Sequence, residues 1–327
     1  MNLMENTKIS QINGKTATFG LIGNPVSHTL SPQIHAHFAQ LYNVNMAYLP
    51  FCVQDKQLEI AVNGAFSLGI RGLNVTVPHK ITIMPHLFAV DKMAKCVGAV
   101  NTLVKAENAQ KTEQSQEKSK NIPNILKNDY IGYNTDYIGA IRTIEKFEKD
   151  KTGVSLKNSH VAILGAGGSA YAASIAAAEK SAKKLTIVNR TIENANTLAF
   201  HIKKYYNINI DLFTPQDFNN TAKNPPNYDI IIQTTTVGFE KGVNGSLVSN
   251  LAVFGKTQLA FDLIYTPWQT QFLQDAQNAN VPNIVNGFPM LVHQAFAAFQ
   301  LWHNIPSPQA HELEEQIEEL SKRLYSD

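Results

Sequence analysis

The stretch that decides the fold reads HVAILGAGGSAYAA and runs from His160 to Ala173. Its apolar start, residues 161–164, predicts a short buried strand, and the alanine-rich residues 168–180 predict a helix. The small residues between them match the glycine-rich turn of a dinucleotide-binding strand–turn–helix unit, with Ala170 in the third glycine position.

The composition of this turn suits a pyrophosphate. Gly165 permits the tight turn and Gly167 lets the backbone approach the phosphate oxygens, which the N–H groups at the helix N-terminus then bind. A tight turn without a ligand is the alternative, and the strand–turn–helix context disfavours it. The predicted cofactor-binding residues of the turn are Gly165, Ala166, Gly167, Gly168, Ser169 and Ala170.

The end of the next predicted strand distinguishes between cofactors. An NAD enzyme usually has Asp or Glu there to bind the ribose 2′-hydroxyl, whereas this chain has Asn189, Arg190 and Thr191. A planar, permanently charged guanidinium pairs well with a 2′-phosphate, to which Asn189 and Thr191 can also donate. A solvated arginine at a strand end is the competing interpretation. We therefore expect NADP (NADPH) as the cofactor.

Alternation of strands and helices extends over both halves of the chain and predicts an α/β protein with two mostly parallel sheets. In the first half, predicted strands are residues 17–22, 46–51 and 73–77, and extended segments are 97–105 and 130–133. The first helix should follow Ser31 as N-cap and Pro32 as its first residue, and others should cover 56–68 and 135–149. In the second half, further strands are expected at 185–189, 208–213, 228–232, 259–263 and 283–285, and helices at 193–206, 289–303 and 308–324.

Bulk properties exclude several classes of protein. The 327 residues suffice for two domains, and a net charge of +2 is too weak to indicate nucleic acid or a membrane surface as partner. Cys52 and Cys96 have no metal-ligand or disulfide-framework spacing, so we expect no metal. The polar N-terminus is not a signal peptide, and no apolar run has membrane-spanning length. We therefore expect a cytoplasmic protein.

Polar clusters interrupt the apolar segments of the first half. Thr29 and Ser31 lie at a predicted helix N-terminus, which suits a carboxylate. Each cluster alone is also compatible with an ordinary turn or cap, but four in one predicted domain favour a polyhydroxylated acid as ligand. The remaining clusters are Asn74, Thr76 and Lys80 near a strand end, Asn101 with Thr102, and Asn134 with Thr135 and Asp136. The polar segment 106–128 is expected to be a solvated hairpin or a disordered loop.

In combination, the motifs resemble the shikimate dehydrogenase family over nearly the whole chain, from about residue 20 to residue 294. The resemblance implies an N-terminal substrate domain, residues 1–137 completed by helices 288–327, and a Rossmann NADP-binding domain, residues 138–287. It also implies reversible reduction of 3-dehydroshikimate to shikimate with NADPH in aromatic amino-acid biosynthesis. The motifs are residues 23–32, 74–80, 98–103, 134–136, 165–170, 189–191, 262–267 and 287–295.

The same resemblance assigns roles to individual residues. It implies that Lys80 and Asp136 form the catalytic pair and that Thr29 and Ser31 hold the substrate carboxylate. Substrate hydroxyls would be bound by Asn74, Thr76, Asn101 and Gln294, with assistance from Tyr265. Further cofactor contacts would come from Thr235, Leu263, Gly287 and Met290.

Two departures from the family pattern leave alternatives open. Thr29 stands where serine is usual, so quinate is a possible second substrate, and residues 233–238 replace the commoner Asn-Ala-Thr-Ser type of loop. The alternatives are a quinate/shikimate dehydrogenase with relaxed cofactor use, a non-catalytic NADP-binding sensor, and a folate-type dehydrogenase. Lys80, Asp136 and the hydroxyl-rich motifs disfavour the last two. The expected partner is a small-molecule substrate, and the expected assembly is a monomer or a homodimer.

Overall fold

The computed structural model describes residues 12–107, 128–150, 152–220, 227–239, 245–306 and 310–325. Packing divides the chain into two compact units. The first contains Met1–Asp91, Val100–Tyr133 and Ala298–Ser307, and the second contains Lys92–Ala99, Asn134–Ala297 and Pro308–Asp327. Because this division follows from packing alone, the functional domains expected at 1–137 with 288–327 and at 138–287 stay a prediction. Most of the polar segment 106–128 lies outside the described residues.

A six-stranded mixed sheet forms the centre of the first unit. Its strands are β1 (Ala17–Gly23), β2 (Met46–Cys52), β3 (Gly72–Val75), β4 (Ala89–Val90), β5 (Thr102–Lys105) and β6 (Tyr130–Tyr133), in the order β2-β1-β3-β5-β6-β4. β1 pairs in parallel with β2 and β3, β5 runs antiparallel to β3 and β6, and β4 is parallel to β6. The helices of this unit are α1 (Ser31–Leu41), α2 (Leu58–Ser67) and the single turn α3 (His79–Thr82).

The second unit contains a fully parallel sheet. Its strands are β7 (His160–Leu164), β8 (Lys184–Val188), β9 (Asn209–Phe213), β10 (Ile230–Gln233), β11 (Leu259–Asp262) and β12 (Asn283–Val285). They lie in the order β12-β11-β10-β7-β8-β9, the doubly wound order of a dinucleotide-binding sheet. Its helices are α4 (Lys92–Val97), α5 (Asp136–Lys149), α6 (Gly168–Glu179), α7 (Ile192–Lys203), α8 (Pro215–Asn220), α9 (Gln271–Asn278) and α11 (Ala310–Tyr325), and α10 (Phe288–His303) contributes to both units.

Side-chain size explains how the parallel sheet is covered. Three consecutive isoleucines of β10, residues 230–232, have no exposed surface, as expected for a central strand buried on both faces. On α6 nine residues are buried, most of them alanines, and their small side chains let this helix lie close to β7 and α5. The glycine-rich turn before α6 is thereby fixed against the sheet. Among the described residues, no helix is both long and apolar enough to cross a bilayer.

Aromatic side chains form the core of the first unit. The ring centroids of Phe19 and Trp302 lie 4.8 Å apart, and those of Phe38 and Phe299 lie 5.8 Å apart. The Trp302 Nε1 donates to the Leu103 carbonyl oxygen at 2.9 Å, so this buried indole has a partner for its N–H group. The last turns of α10 therefore belong to the substructure around β1 and β5.

The predicted α/β class with two mostly parallel sheets is confirmed, and most element boundaries are correct to within one or two residues. Three corrections are needed. The N-cap of α1 is Leu30, and Ser31 is the first helical residue. The segment predicted as extended from residue 97 begins as a strand only at Thr102, because Val97 ends α4 and Gly98 has a left-handed φ of 80°. Sequence patterns also missed β4 and the short helices α3, α4, α8 and α9.

Candidate active site

The glycine-rich turn joins the end of β7 to the start of α6. Gly165 has a φ of 123°, in the range that residues with a Cβ rarely adopt. A Cβ at this position would also lie 2.5 Å from the Thr234 Oγ1 and 3.0 Å from the Thr235 Cγ2. The fold itself therefore requires glycine at position 165.

Gly167 is in a different situation two residues later. It is the N-cap of α6, and a Cβ there would meet no heavy atom within 4 Å. Open space in front of a helix N-terminus suits an anionic group, because backbone N–H groups and the helix dipole both face it. Gly168 starts the helix, Ala166 and Ser169 are half-buried, and Ala170 is fully buried in the core. The predicted turn residues thus form an arrangement that fits a pyrophosphate.

Asn189, Arg190 and Thr191 follow β8 on the neighbouring strand of the same sheet. The Asn189 Nδ2 donates to the Thr191 carbonyl oxygen at 2.8 Å, and Thr191 is the N-cap of α7. Arg190 is exposed between them. A guanidinium beside a hydroxyl, with no carboxylate among these three residues, fits the 2′-phosphate of NADP better than the ribose 2′-hydroxyl of NAD.

The loop after β10 is shaped by a buried amide that the sequence analysis did not single out. The Gln233 Oε1 accepts from the Thr235 N–H at 3.1 Å and from the Thr235 Oγ1 at 3.0 Å. The Gln233 Nε2 donates to the Val237 carbonyl oxygen at 3.2 Å. This loop departs from the family pattern, and Gln233 supplies the internal hydrogen bonds that hold Thr235 beside the glycine turn.

Leu263 and Gly287 are brought together at the ends of β11 and β12. A Cβ on Gly287 would collide with the carbonyl group of Leu263, so the close approach requires glycine. The Leu263 N–H donates to the Gln233 carbonyl oxygen at 2.9 Å. Thr235, Leu263 and Gly287 therefore share the carboxyl edge of the parallel sheet, where doubly wound folds bind ligands.

Asp136 and its neighbours begin α5, also in the second unit. The Asn134 Oδ1 accepts from the Tyr137 N–H at 3.0 Å, and the Asn134 Nδ2 donates to the Ala99 carbonyl oxygen at 2.9 Å. These bonds fix the start of the helix, where the buried Asp136 carboxylate is favoured by the positive end of the helix dipole.

The predicted residues of α10 pack against α5 at a glycine. A Cβ on Gly139 would lie 2.9 Å from the Met290 carbonyl oxygen and 3.2 Å from the Gln294 Cβ. Met290 and Gln294 are both buried, and the Gln294 Nε2 donates to the Leu291 carbonyl oxygen at 2.8 Å. Tyr265 is half-buried on the loop after β11, and its carbonyl oxygen accepts from the Tyr325 hydroxyl at 2.7 Å.

In the first unit, Thr29 and Ser31 form a pair of hydroxyls at the N-terminus of α1. The Thr29 Oγ1 donates to the Ser31 Oγ at 3.0 Å and accepts from the Ser31 N–H at 3.2 Å. Ser31 therefore does not cap the helix, and Thr29 satisfies one of the helix's first N–H groups. The two hydroxyls lie within hydrogen-bonding distance of one another, as a shared carboxylate site requires.

Thr76 and Lys80 follow β3. The Thr76 N–H donates to the Ile22 carbonyl oxygen, and the Thr76 carbonyl oxygen accepts from the His79 N–H, both at 2.9 Å. Lys80 lies in α3, half-buried, with its carbonyl oxygen accepting from the Val100 N–H at 2.7 Å. Lys80 belongs to the first unit and Asp136 to the second, and their pairing stays a prediction.

Asn74 and Asn101 are connected through a buried hydrogen-bond network. The Asn74 Nδ2 donates to the Asn101 carbonyl oxygen and to the Thr102 Oγ1, each at 3.2 Å. The Asn74 Oδ1 accepts from the Tyr48 hydroxyl at 2.7 Å. Both ends of the Asn74 amide are thus engaged by the protein, which was not evident from the sequence.

Two buried residues near the predicted site had no predicted role. The Asp262 Oδ2 accepts from the Thr270 hydroxyl at 2.6 Å and its Oδ1 from the Ile264 N–H at 3.0 Å, while burial raises the pKa of this carboxyl to about 7. His79 is fully buried, with its Nε2 2.7 Å from the Val53 carbonyl oxygen. The sequence signal that could have indicated a role for each was an ionisable residue at or just after the end of a buried strand. Asp262 supports the loop that carries Tyr265, and His79 anchors the turn that carries Lys80.

Family models match three segments of the chain. The shikimate dehydrogenase substrate binding domain matches residues 21–103, and shikimate / quinate 5-dehydrogenase matches residues 146–262. The shikimate 5′-dehydrogenase C-terminal domain matches residues 287–311. The order of these matches agrees with the order of the two sheets along the chain.

Individual proteins match over nearly the full length. The shikimate dehydrogenase (NADP(+)) of Methanococcus aeolicus is 37% identical over 294 residues, covering 90% of this chain and 94% of that protein. A crystal structure of a shikimate dehydrogenase in complex with NADP+ superposes with a TM-score of 0.75 at 32% identity, covering 94% of this chain and 97% of the other. The Thermus thermophilus enzyme, solved with NADP(H) and shikimate, gives 0.70 at 26% identity, covering 93% and 99%. With its fold and these matches in agreement, the chain belongs to the shikimate dehydrogenase family.

Proposed function

We propose that this protein catalyses the reversible, NADP-dependent interconversion of shikimate and 3-dehydroshikimate, a step of aromatic amino-acid biosynthesis. One observation carries the proposal: the segment matched by the substrate binding domain of the family, residues 21–103, contains the predicted polar residues of the first unit. These residues are Thr29, Ser31, Asn74, Thr76, Lys80 and Asn101. The Methanococcus relatives and the two solved structures described above carry this activity in their names, with NADP as cofactor.

Bound NADPH supplies the hydride that reduces the C3 carbonyl group of 3-dehydroshikimate. The protein's task is to handle the negative charge that develops on the carbonyl oxygen. The Lys80 Nζ either donates a proton to this oxygen or stabilises its charge while a proton comes from solvent, and in both cases the product is the C3 hydroxyl of shikimate. In the reverse direction the proton of the C3 hydroxyl leaves towards Lys80. The Asp136 carboxylate holds the ammonium group and a neighbouring substrate hydroxyl in place.

Substrate orientation is assigned to the remaining polar residues. Thr29 and Ser31 donate their hydroxyl groups to the substrate carboxylate, which their 3.0 Å separation permits. Thr76, Asn101 and Gln294 bind ring hydroxyls, and Tyr265 assists them. The Thr29 Oγ1 is held by its hydrogen bonds to the Ser31 Oγ and the Ser31 N–H, so this pair of hydroxyls is oriented before the substrate arrives.

Cofactor binding is assigned to residues of the second unit. The α6 N-terminus receives the pyrophosphate, and Arg190 with Asn189 and Thr191 receives the 2′-phosphate. Thr235, Leu263, Gly287 and Met290 line the place of the nicotinamide. The alternatives of relaxed quinate or NAD use and of a non-catalytic sensor are not favoured by the relatives, which are named as NADP(+) shikimate dehydrogenases.

The oligomeric state and the cellular location of the protein are also proposals. We propose a monomer or a homodimer that works in the cytoplasm on a small-molecule substrate. Both cysteines, Cys52 and Cys96, are free thiols, which fits a reducing compartment. Light scattering of the purified protein and fractionation of its source cells test these two points.

The activity is tested by following the absorbance of the reduced cofactor. Shikimate and quinate are each paired with NADP+ and with NAD+, and the reverse reaction uses 3-dehydroshikimate and NADPH. We expect rapid turnover with shikimate and NADP+ and with 3-dehydroshikimate and NADPH. Wherever quinate replaces shikimate or NAD+ replaces NADP+, we expect kcat/KM to be at least tenfold lower. Comparable turnover with quinate or NAD+ would establish a dual-specificity enzyme instead. Binding of NADP+ without turnover of any of these acids would refute the proposed catalysis.

A further inference from the structure

A chain of buried polar groups crosses the sheet of the first unit. It begins at Tyr48 on β2, passes Asn74 on β3 and ends at Thr102 and Asn101 at the start of β5. These four residues are at most 8% exposed. Because β1 lies between β2 and β3, the Tyr48 side chain spans a whole strand to reach Asn74.

Each hydrogen bond in this chain has a defined direction. The Tyr48 hydroxyl donates to the Asn74 Oδ1 at 2.7 Å, and the Asn74 Nδ2 donates to the Thr102 Oγ1 at 3.2 Å. The Thr102 hydroxyl in turn donates to the Asn101 Oδ1 at 3.1 Å. A carboxamide oxygen can only accept and its nitrogen can only donate. The Asn74 Nδ2 also donates to the Asn101 carbonyl oxygen at 3.2 Å, so this carbonyl group and the Tyr48 hydroxyl together fix the orientation of the Asn74 amide. Thr102 then transmits that orientation to the Asn101 side chain.

Packing holds the first member of the chain. The ring of Tyr48 stacks on that of His35 with 4.2 Å between centroids and 15° between planes. The Trp302 ring lies 6.2 Å from Tyr48 on the same aromatic cluster. Tyr48 is therefore placed by the core rather than by its hydroxyl group, and the hydroxyl acts from a fixed position on Asn74.

The consequence concerns the amide of Asn101. With its Oδ1 directed at Thr102, the Asn101 side chain presents its Nδ2 on the other side. A rotation by 180° about the amide would bring that nitrogen towards Thr102, whose hydroxyl would then have to accept from two amide groups and lose its own acceptor. The hydrogen bonds of Asn74 and Thr102 therefore favour one arrangement of the buried Asn101 amide.

We infer that Tyr48 is a positioning residue for the substrate. Acting through Asn74 and Thr102, it orients the Asn101 amide so that the Nδ2 donates to a ring hydroxyl oxygen. The inference rests on the proposed function, since Asn101 is a substrate-binding residue only under that proposal. It also gives Asn74 an indirect role, because both ends of its amide are engaged within the network.

The test compares two tyrosine variants of the full-length enzyme. Tyr48→Phe removes the first hydroxyl of the network and keeps the aromatic ring. Tyr130→Phe is the matched control, because Tyr130 is also buried on the same sheet and its hydroxyl donates to a backbone carbonyl oxygen, that of Ile70. For Tyr48→Phe we expect KM for shikimate to rise about 5- to 10-fold, the equivalent of one hydrogen bond, with KM for NADP+ within about twofold.

The control should lose thermal stability without a change in KM for shikimate. An equal rise of KM in both tyrosine variants, or no rise in Tyr48→Phe, would overturn the inference. A wild-type enzyme without shikimate-dependent NADPH formation would instead refute the proposed function, so the two failures are distinguishable.

A second pair of variants keeps the inference testable if Tyr48→Phe does not fold. Thr102→Val removes the hydroxyl in the middle of the network, whereas Thr102→Ser retains it. We expect Thr102→Val to raise KM for shikimate as Tyr48→Phe does, and Thr102→Ser to stay within about twofold of wild type. In the double variant Tyr48→Phe/Thr102→Val the two effects should not multiply, because both interrupt one network. Equal KM values for the valine and serine variants would contradict the proposed transmission.

Discussion

The glycine turn of the second unit and the polar network of the first unit offer different chemical groups to a ligand. In the second unit the glycine turn offers backbone: Gly165 is required by the fold, and Gly167 leaves open space before a helix N-terminus. In the first unit the site is made of side chains such as Asn74 and Asn101, which are buried and oriented by one another. A backbone site is local in sequence, whereas a network of side chains depends on partners that the chain brings from distant strands.

The glycine turn and the buried network should also differ in how substitutions change stability and binding. In the backbone site the exposed Gly167 faces open space, so changing this position should affect binding more than folding. The buried network must satisfy its own donors and acceptors, because an unpaired buried polar group costs about 1–3 kcal/mol. Substitutions in the buried network should therefore affect stability and substrate binding together.

The largest effect is expected at Lys80. Its substitution should slow the chemical step and leave the binding of substrate and cofactor nearly unchanged. We expect Lys80→Ala to lower kcat by about 10²–10⁴, the usual contribution of a general acid or base, with little change in KM for shikimate or NADP+. Steady-state kinetics in both directions measure this. Lys15→Ala, at an exposed position of the same unit, is the control and should behave as wild type. An unchanged kcat in Lys80→Ala would remove this residue from the reaction.

The next effect concerns the backbone site. Gly167→Ala places a methyl group where no protein atom lies within 4 Å, so the melting temperature should stay the same. The methyl group occupies the space needed by the pyrophosphate, and such crowding costs about 1–3 kcal/mol, or roughly 5- to 150-fold in Kd for NADP+. Gly64→Ala on α2, which also meets nothing within 4 Å, is the control and should leave Kd unchanged. Calorimetric titration measures Kd, and a lower melting temperature with unchanged Kd would contradict the proposed role of the turn.

A smaller effect is expected at Arg190, because its side chain is exposed and its charge is screened by solvent. We expect Arg190→Gln to raise Kd for NADP+ about tenfold, the value of one charge-assisted hydrogen bond, and to leave Kd for NAD+ nearly unchanged. Lys183→Gln, an exposed position just before β8, controls for the loss of a positive charge. Parallel losses for both cofactors would show that Arg190 contacts the adenine rather than the phosphate.

The same contrast explains what the sequence could predict. Local patterns predicted the strands and the longer helices of the second unit: both ends of β12 were correct, and β7 and α6 were correct to within one residue. They missed its short helices α4, α8 and α9. The short helix α4 was missed because its docking depends on His201, whose Nε2 lies 2.8 Å from the Cys96 carbonyl oxygen. Family motifs supplied the polar residues proposed for the site in the first unit, but no motif contains Tyr48. Its partner Asn74 lies 26 positions away on a strand that is not adjacent in the sheet.

The smallest effect concerns the aromatic cluster beneath the polar network. Burial lowers the pKa of His35 to about 3 from its ordinary value of 6.5. The unfolded chain therefore binds a proton below pH 6.5 that the folded protein does not bind until about pH 3, so stability is lost as pH falls through that interval. Between pH 6.5 and 5.5 this group should lower the free energy of unfolding by about 1 kcal/mol.

His35→Phe keeps a ring against Tyr48 and removes the titrating group. Between pH 6.5 and 5.5 the free energy of unfolding of this variant should therefore fall by about 1 kcal/mol less than that of the wild type. The chain has two tryptophans, and in a Trp268→Phe background the fluorescence of Trp302, whose ring lies 5.1 Å from that of His35, reports unfolding of the first unit alone. Urea unfolding at the two pH values gives the difference. If the His35→Phe variant loses as much stability as the parent, the buried histidine does not titrate as its surroundings require. The pH dependence of the first unit would then have to arise at other buried groups, among them His303, whose pKa burial and the charge of Arg71 lower to about 4.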